Sequence, residues 1–303
     1  VSVLFYGRTQ QTLDDVLKAV EENNPILAVK RQLVSAQQLE NHTGLTPENP
    51  FIQTDYMIGR PVSGGNQLDL LATQRLDFPT VYSRRKKVAS QKDANAEYTY
   101  LAERQRVLLE AKLIYIELIY LNKMEATIAD RIERTEGLVQ RLTDKFESGE
   151  SNALDLNKAT IHLLGLKSQY QENETAIKTN MARLMALNGG NPVVVPIIEY
   201  AFVAEMPPFE KLLEEALEVN PEVNALKSDV EIYQLKGDLA KANRLPQFEV
   251  GYHYQSVLGQ TFNGGHLGMS IPLWQQKNTV QAAKAMSESV SYTHLTLPTT
   301  RLV

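Results

Sequence analysis

The chain has 303 residues, 43% of them hydrophobic, enough to bury one or two cores. A net charge of −5 gives no electrostatic reason to expect a nucleic-acid partner, and the absence of cysteine rules out disulfides and thiolate metal sites. No run of about twenty apolar residues is present to cross a membrane as a helix.

Residues 1–11 read as a signal remnant or N-terminal extension. Thr12 is placed to cap a first helix, with Asp14 and Asp15 in its first turn and Leu13, Val16, Leu17 and Val20 on its apolar face. Asn24-Pro25 kinks that helix, which resumes and ends near Asn41. The period then changes to two. Ile52, Thr54, Tyr56 and Ile58 alternate with Gln53, Asp55 and Met57; after a Gly- and Ser-rich loop, Leu68, Leu70, Ala72, Leu76 and Phe78 alternate with Asp69, Thr73, Arg75 and Asp77. Both segments are strands by period and by their bounding turn residues.

A long helix is expected from about Ser83. Arg84-Arg85-Lys86-Lys87 at its start is either a solvated patch or an anchor at a membrane interface. From Val107 to Phe146, apolar residues recur at alternating steps of four and three: Val107, Ala111, Ile114, Leu118, Leu121, then Ile128, Ile132, Val139, Leu142 and Phe146, with Glu125 and Thr135 as the polar exceptions. That period, near 3.5, belongs to helices that supercoil on neighbours. A short turn at Ser148-Gly149-Glu150 leads into a second seam from Leu156 to Leu187, which stops at Asn188-Gly189-Gly190. At 1.5 Å per residue, Ser83–Glu147 would extend roughly 100 Å, and the two shorter helical stretches roughly 45 and 55 Å, so together they match it.

After an irregular segment, 191–208, the beginning of the chain recurs. Leu13–Pro25 matches Phe209–Pro221 at an offset of 196, which also brings Tyr56 onto Tyr252. A third strand sets Phe248, Val250, Tyr252 and Tyr254 against Glu249, Gly251, His253 and Gln255. After a loop containing Gly264-Gly265, a fourth sets Leu267, Met269 and Ile271 against His266, Gly268 and Ser270. The organisation is therefore a first repeat at 12–190, the segment 191–208, and a second repeat at 209–289 in which only Gln275–Ser289 of the long helix is legible. Residues 290–303 lose the helical period and read as a non-native tail.

Each strand has eight to ten residues with one apolar and one polar face, which is the pattern of a membrane β-barrel strand as well as of a soluble sheet with one buried face. Four strands cannot close a membrane barrel, so in the first case several chains must contribute. Gln53, Asp55, Asp69, Thr73, Arg75, Asp77, Glu249, His253 and Gln255 would then face the water-filled interior. The histidines His42, His162, His253, His266 and His294 are scattered, no nucleophile–base spacing occurs, and no enzyme site, cofactor or metal site is expected.

The sequence resembles the TolC-like outer-membrane efflux family over about Thr12 to Ser289. The resemblance rests on Asn24-Pro25 and Asn220-Pro221, on Asn243-Arg244-Leu245-Pro246 at the third strand, on the strand exits Phe78-Pro79 and Ile271-Pro272, and above all on the turn from Arg141 to Leu156. That turn is similar to the family's Arg-x-x-x-x-(Phe/Tyr)-x-x-Gly-x-x-x-x-x-Asp-(Leu/Val) tip. The resemblance implies a mainly α fold with β: long coiled-coil hairpins forming a periplasmic α-barrel, and four strands per chain in a trimeric, twelve-stranded barrel in outer-membrane lipid. It implies a passive export conduit whose tip, Arg141, Lys145, Phe146, Ser148, Gly149, Glu150, Leu154, Asp155 and Leu156, docks a periplasmic adaptor (membrane fusion) protein. The adaptor in turn joins an inner-membrane transporter of the resistance-nodulation-division type. The stretch Gln74–Tyr82 leans toward members that serve heavy-metal cation exporters, with drugs as the other cargo class. The competing reading is a soluble coiled-coil structural protein or the adaptor itself. The duplicated strand pair argues against an adaptor.

Overall fold

A computed structural model describes residues 12–60, 65–195, 207–274 and 277–300. The 1–11 extension lies outside the described residues, as do 196–206 of the irregular segment and 301–303 of the tail. The chain forms two compact units, one of Val1–Arg31 with Glu103–Pro208, the other of Gln32–Ala102 with Phe209–Val303. The elements run α1 (Leu13–Asn23), α2 (Pro25–Asn41), β1 (Phe51–Ile58), β2 (Asn66–Leu76), α3 (Pro79–Glu147), α4 (Ala153–Leu187), α5 (Phe209–Val219), α6 (Pro221–Ala242), β3 (Gln247–Val257), β4 (Gln260–Ser270) and α7 (Lys277–Thr300). The order two helices, two strands and a helix occurs twice, at α1–α3 and at α5–α7.

In the first unit α1 begins with a capping box, in which the Thr12 hydroxyl accepts from the Asp15 amide and the Asp15 carboxylate accepts from the Thr12 amide. Its apolar face delivers Val16 and Val20 into the core at 0% exposure. Arg104 grips Glu21 with Nε and Nη2 at 2.7 and 2.6 Å, which holds the Glu21 carboxyl below the usual carboxylate range. The α3 seam is buried at Val107, Ala111, Ile114, Leu118, Leu121 and Ile128, and opens toward the turn, where Phe146 is exposed. On α4 the facing seam buries Ala159, Leu166, Asn173 and Leu184. Asn173 earns its place in that apolar row by donating Nδ2 to the Leu121 carbonyl at 3.0 Å.

Asn24 does more than kink a helix. It is 1% exposed; its Oδ1 accepts from the amides of Ile26 and Leu27, which caps α2, and its Nδ2 donates to the Leu187 carbonyl at 2.8 Å. Beside it Asn23 Nδ2 donates to Asn188 Oδ1 at 3.1 Å. The α4 stop is a Schellman motif: Gly190 N–H bonds to the Met185 carbonyl, Gly189 N–H to that of Ala186, and Gly189 has φ +65°.

In the second unit the four strands form one antiparallel sheet in the order β1-β2-β3-β4. β4 is longer than its period suggests. Gly264 and Gly265, expected in a loop, lie in the strand opposite His253 and Tyr252. The connection is instead a two-residue turn, Leu258-Gly259, with φ +52° and +79°, both positive as a tight hairpin requires. α3 begins at Pro79 rather than near Ser83, with proline in the first turn, where its missing N–H is harmless. α7 runs to Thr300, past the loss of period after Ser289.

Candidate functional site

Two places carry the residues singled out above: the α3–α4 turn and the polar face of the sheet. The turn is a second Schellman motif. Glu150 N–H bonds to the Lys145 carbonyl at 2.8 Å and Gly149 N–H to that of Phe146 at 3.1 Å, with Gly149 at φ +78°. Asn152, not Ser151, caps α4, its side chain accepting from the Asp155 amide at 3.0 Å. Asp155 sits in the first turn of α4, at the positive end of its dipole.

Arg141, Lys145, Glu147, Glu150 and Asp155 form no ion pair with one another, although their order in the sequence suggests pairing; exposed, flexible charges gain little from it. Asp144 instead accepts from Gln140 at 2.9 Å. Phe146 and Leu154 stand exposed, Leu156 is half-buried, and Ser148 is held by its hydroxyl on the Lys145 carbonyl. The turn thus presents a hydrogen-bonded backbone, charges of both signs without an ion pair among the described residues, and two uncovered apolar side chains.

The register settles which strand residues share a face. Asp55 lies opposite Asp69, Asp69 opposite Gln255, Thr73 opposite Gly251, and Arg75 opposite Glu249. Gln53, Asp55, Asp69, Thr73, Arg75, Glu249, His253 and Gln255 therefore stand on one side, as the alternation requires. His253 hydrogen-bonds the Asp69 carboxylate, and Gln255 reaches its other oxygen at 3.5 Å. One level along, Arg75 Nε donates to Glu249 at 3.2 Å, and His266 Nε2 lies 3.8 Å from the same carboxylate. Gln53 donates to Asp55 at 2.8 Å. Asp77 is the exception. The strand ends at Leu76, and the Asp77 carboxylate is taken by Arg85 at 2.7 Å and Gln247 at 2.7 Å, so it serves the joint between strand and helix.

One contributor to the polar face escaped the sequence reading. Leu71 interrupts the polar face, opposite Gln53 and His253. Gly251 is required there, since a Cβ would lie 2.3 Å from the Ala72 carbonyl oxygen and 2.8 Å from the Thr73 methyl. The close approach leaves Thr73 buried. Among the described residues no cluster of three His, Asp or Glu side chains is placed to hold a metal ion. The opposite face carries Ile52, Tyr56, Ile58, Leu68, Leu70, Phe248, Val250, Tyr252, Leu267 and Met269, all exposed, up to 71% at Ile58 and 84% at Leu267. Among the described residues no helix is long and apolar enough to cross a membrane.

No protein-family model matches the sequence, and no curated protein matches it. Solved structures do. The outer-membrane protein VceC of Vibrio cholerae superposes with a TM-score of 0.73 at 14% identity, over 94% of this chain and 75% of that one. The CmeC outer-membrane channel of Campylobacter jejuni gives 0.70 at 14%, over 97% and 72%. CusC, described through transmembrane channel formation, gives 0.74 at 11%, over 94% and 72%. The chain has the fold of these outer-membrane channels. The resemblance read from the turn and the repeated strand pairs is thus borne out as a fold. Within this channel fold, the four-stranded sheet and the α3–α4 hairpin are the parts that carry the two candidate sites.

Proposed function

We propose that the chain is one subunit of a trimeric outer-membrane channel, a passive, non-enzymatic conduit from periplasm to exterior. Three copies would place twelve strands in one barrel, with the acidic and imidazole face toward water and the opposite face toward lipid. The observation that carries this reading is the sheet itself, polar on one side and exposed and apolar on the other. Support for self-association comes from a second α3 stripe, Leu109, Leu113, Ile116, Tyr120 and Met124, exposed in the single chain. The α3–α4 turn would dock a periplasmic adaptor joined to an inner-membrane pump of the resistance-nodulation-division type. On this reading the pump, not the tunnel, selects heavy-metal cations or drugs as cargo.

Fractionation tests the assembly. The protein should require detergent and migrate as an oligomer that heating converts to monomer; a fully soluble monomer would overturn the reading. A second experiment tests closure at the turn. Because Arg141 and Asp155 form no ion pair among the described residues, their pairing would be between subunits. Arg141→Glu or Asp155→Lys should then raise single-channel conductance several-fold, as expected when a charge-assisted contact worth about 1–3 kcal/mol is reversed. Unchanged conductance together with unchanged export would remove the turn from gating.

A further inference from the structure

The basic run at the start of α3 is left unused by the conduit. It is joined in the second unit by the end of α6. Arg84 Nη1 reaches Asp238 at 3.2 Å, and Lys241 Nζ reaches the same carboxylate at 3.0 Å. The Lys241 hydrogen bond, with the positive charges of Arg84 and Lys87, holds the Asp238 carboxyl below the usual carboxylate range. Residues 77–87 and 238–247 hold six cations, Arg84, Arg85, Lys86, Lys87, Lys241 and Arg244, against two carboxylates, Asp77 and Asp238. Arg85 turns inward to Asp77. Lys86, Lys87 and Arg244 are exposed and form no ion pair among the described residues.

The place of these cations matters. α3 leaves the sheet at Pro79, so Arg84–Lys87 lie about 8–12 Å along it. Arg244 sits between the end of α6 and the start of β3 at Gln247. Long basic side chains reach back along apolar surface from such positions. The same junction holds an uncovered apolar rim. Leu245 and Pro272 line one 200 Å³ pocket with Asp77 and Arg85, and Leu273 and Trp274 follow Pro272, Trp274 at 85% exposure. A tryptophan and a set of cations at the end of an apolar sheet face is the arrangement that sits well at a membrane–water interface.

We propose that this junction binds the headgroups of anionic phospholipids: Lys86, Lys87 and Arg244 hold the phosphate, and Leu273 and Trp274 enter the acyl boundary. The inference rests on the sheet being the membrane-spanning part. Charge complementarity selects this occupant. The chain as a whole carries −5, so a local excess of positive charge is where an anionic headgroup would be favoured.

Trp274 is the only tryptophan, which makes it the probe. The full chain in neutral detergent is titrated with phosphatidylglycerol or phosphatidylcholine, and Trp274 emission is followed. A blue shift should occur with both lipids, at an apparent affinity at least about tenfold higher for phosphatidylglycerol. The preference should vanish in Lys86→Gln/Lys87→Gln/Arg244→Gln and persist in Arg131→Gln/Lys158→Gln/Lys211→Gln, which removes the same charge elsewhere. In the unsubstituted chain it should also fade between 0.1 and 1 M salt, as the screening length drops from about 10 to 3 Å; this arm stands even if the junction variant misfolds. Equal affinity for the two lipids, or equal loss in both variants, overturns the headgroup site and leaves the membrane reading intact. No shift with either lipid overturns the membrane reading itself.

Discussion

Asn24→Leu is expected to lower the unfolding free energy by about 3 kcal/mol, although it adds apolar volume to a core. The cap on α2 is lost, at about 1 kcal/mol. The Leu187 carbonyl is left without its partner in a part-buried site, at about 2 kcal/mol more. Gly189→Ala should act in the same direction, because its Cβ would lie 2.4 Å from the Asn23 carbonyl oxygen at a φ of +65°. Asn23→Ala, which loses one partly buried hydrogen bond, should cost about 1 kcal/mol. Urea unfolding followed by circular dichroism orders the three variants. A loss below 1 kcal/mol for Asn24→Leu would mean that the α1–α2 corner is held by apolar packing alone.

Leu70→Arg and Leu71→Arg should have opposite consequences, though the residues are neighbours. Leu70 stands between Thr54 and Tyr254 on the apolar face, and Leu71 between Gln53 and His253 on the polar one. If the apolar face meets lipid, arginine at position 70 should cost about 2–4 kcal/mol of membrane assembly. The same side chain at position 71 would stand on the polar face beside Gln53, Asp69 and His253, and should be tolerated. The yield of heat-modifiable oligomer in the membrane fraction reads the difference. Equal yields would sink the assignment of the two faces.

The parts that were legible in the sequence are those set by local periodicity. The period of two gives β1, β2 and β3 because alternate side chains meet different surroundings, and a period near 3.5 gives the α3–α4 hairpin. Gly149 and Gly189 were legible for the same local reason, since a helix stop needs a positive φ. The rest depends on contacts far apart in the chain. Asn24 looks like a helix breaker until Leu187 and Asn188 are placed beside it. Asp77 follows the alternation of β2, yet Arg85 and Gln247 draw it into a joint. Gly264 and Gly265 look like a loop because glycine breaks strands, whereas pairing with β3 supplies the order that their own propensity does not. The turn charges illustrate the converse. Their sequence spacing allows ion pairs, but solvent takes most of the gain, and none forms among the described residues.

The glycine at position 264 has one more consequence. It stands on the polar side of β4 opposite His253, and a Cβ there meets nothing within 4 Å. These 303 residues contain no cysteine, so Gly264→Cys would provide their single thiol, at one known level of the sheet. Any maleimide, metal chelate or bulky cap attached there would stand on the side assigned to water. The fold thus leaves an empty socket in which a plug, a reporter or a size ruler for passing cargo can be mounted without displacing a native side chain.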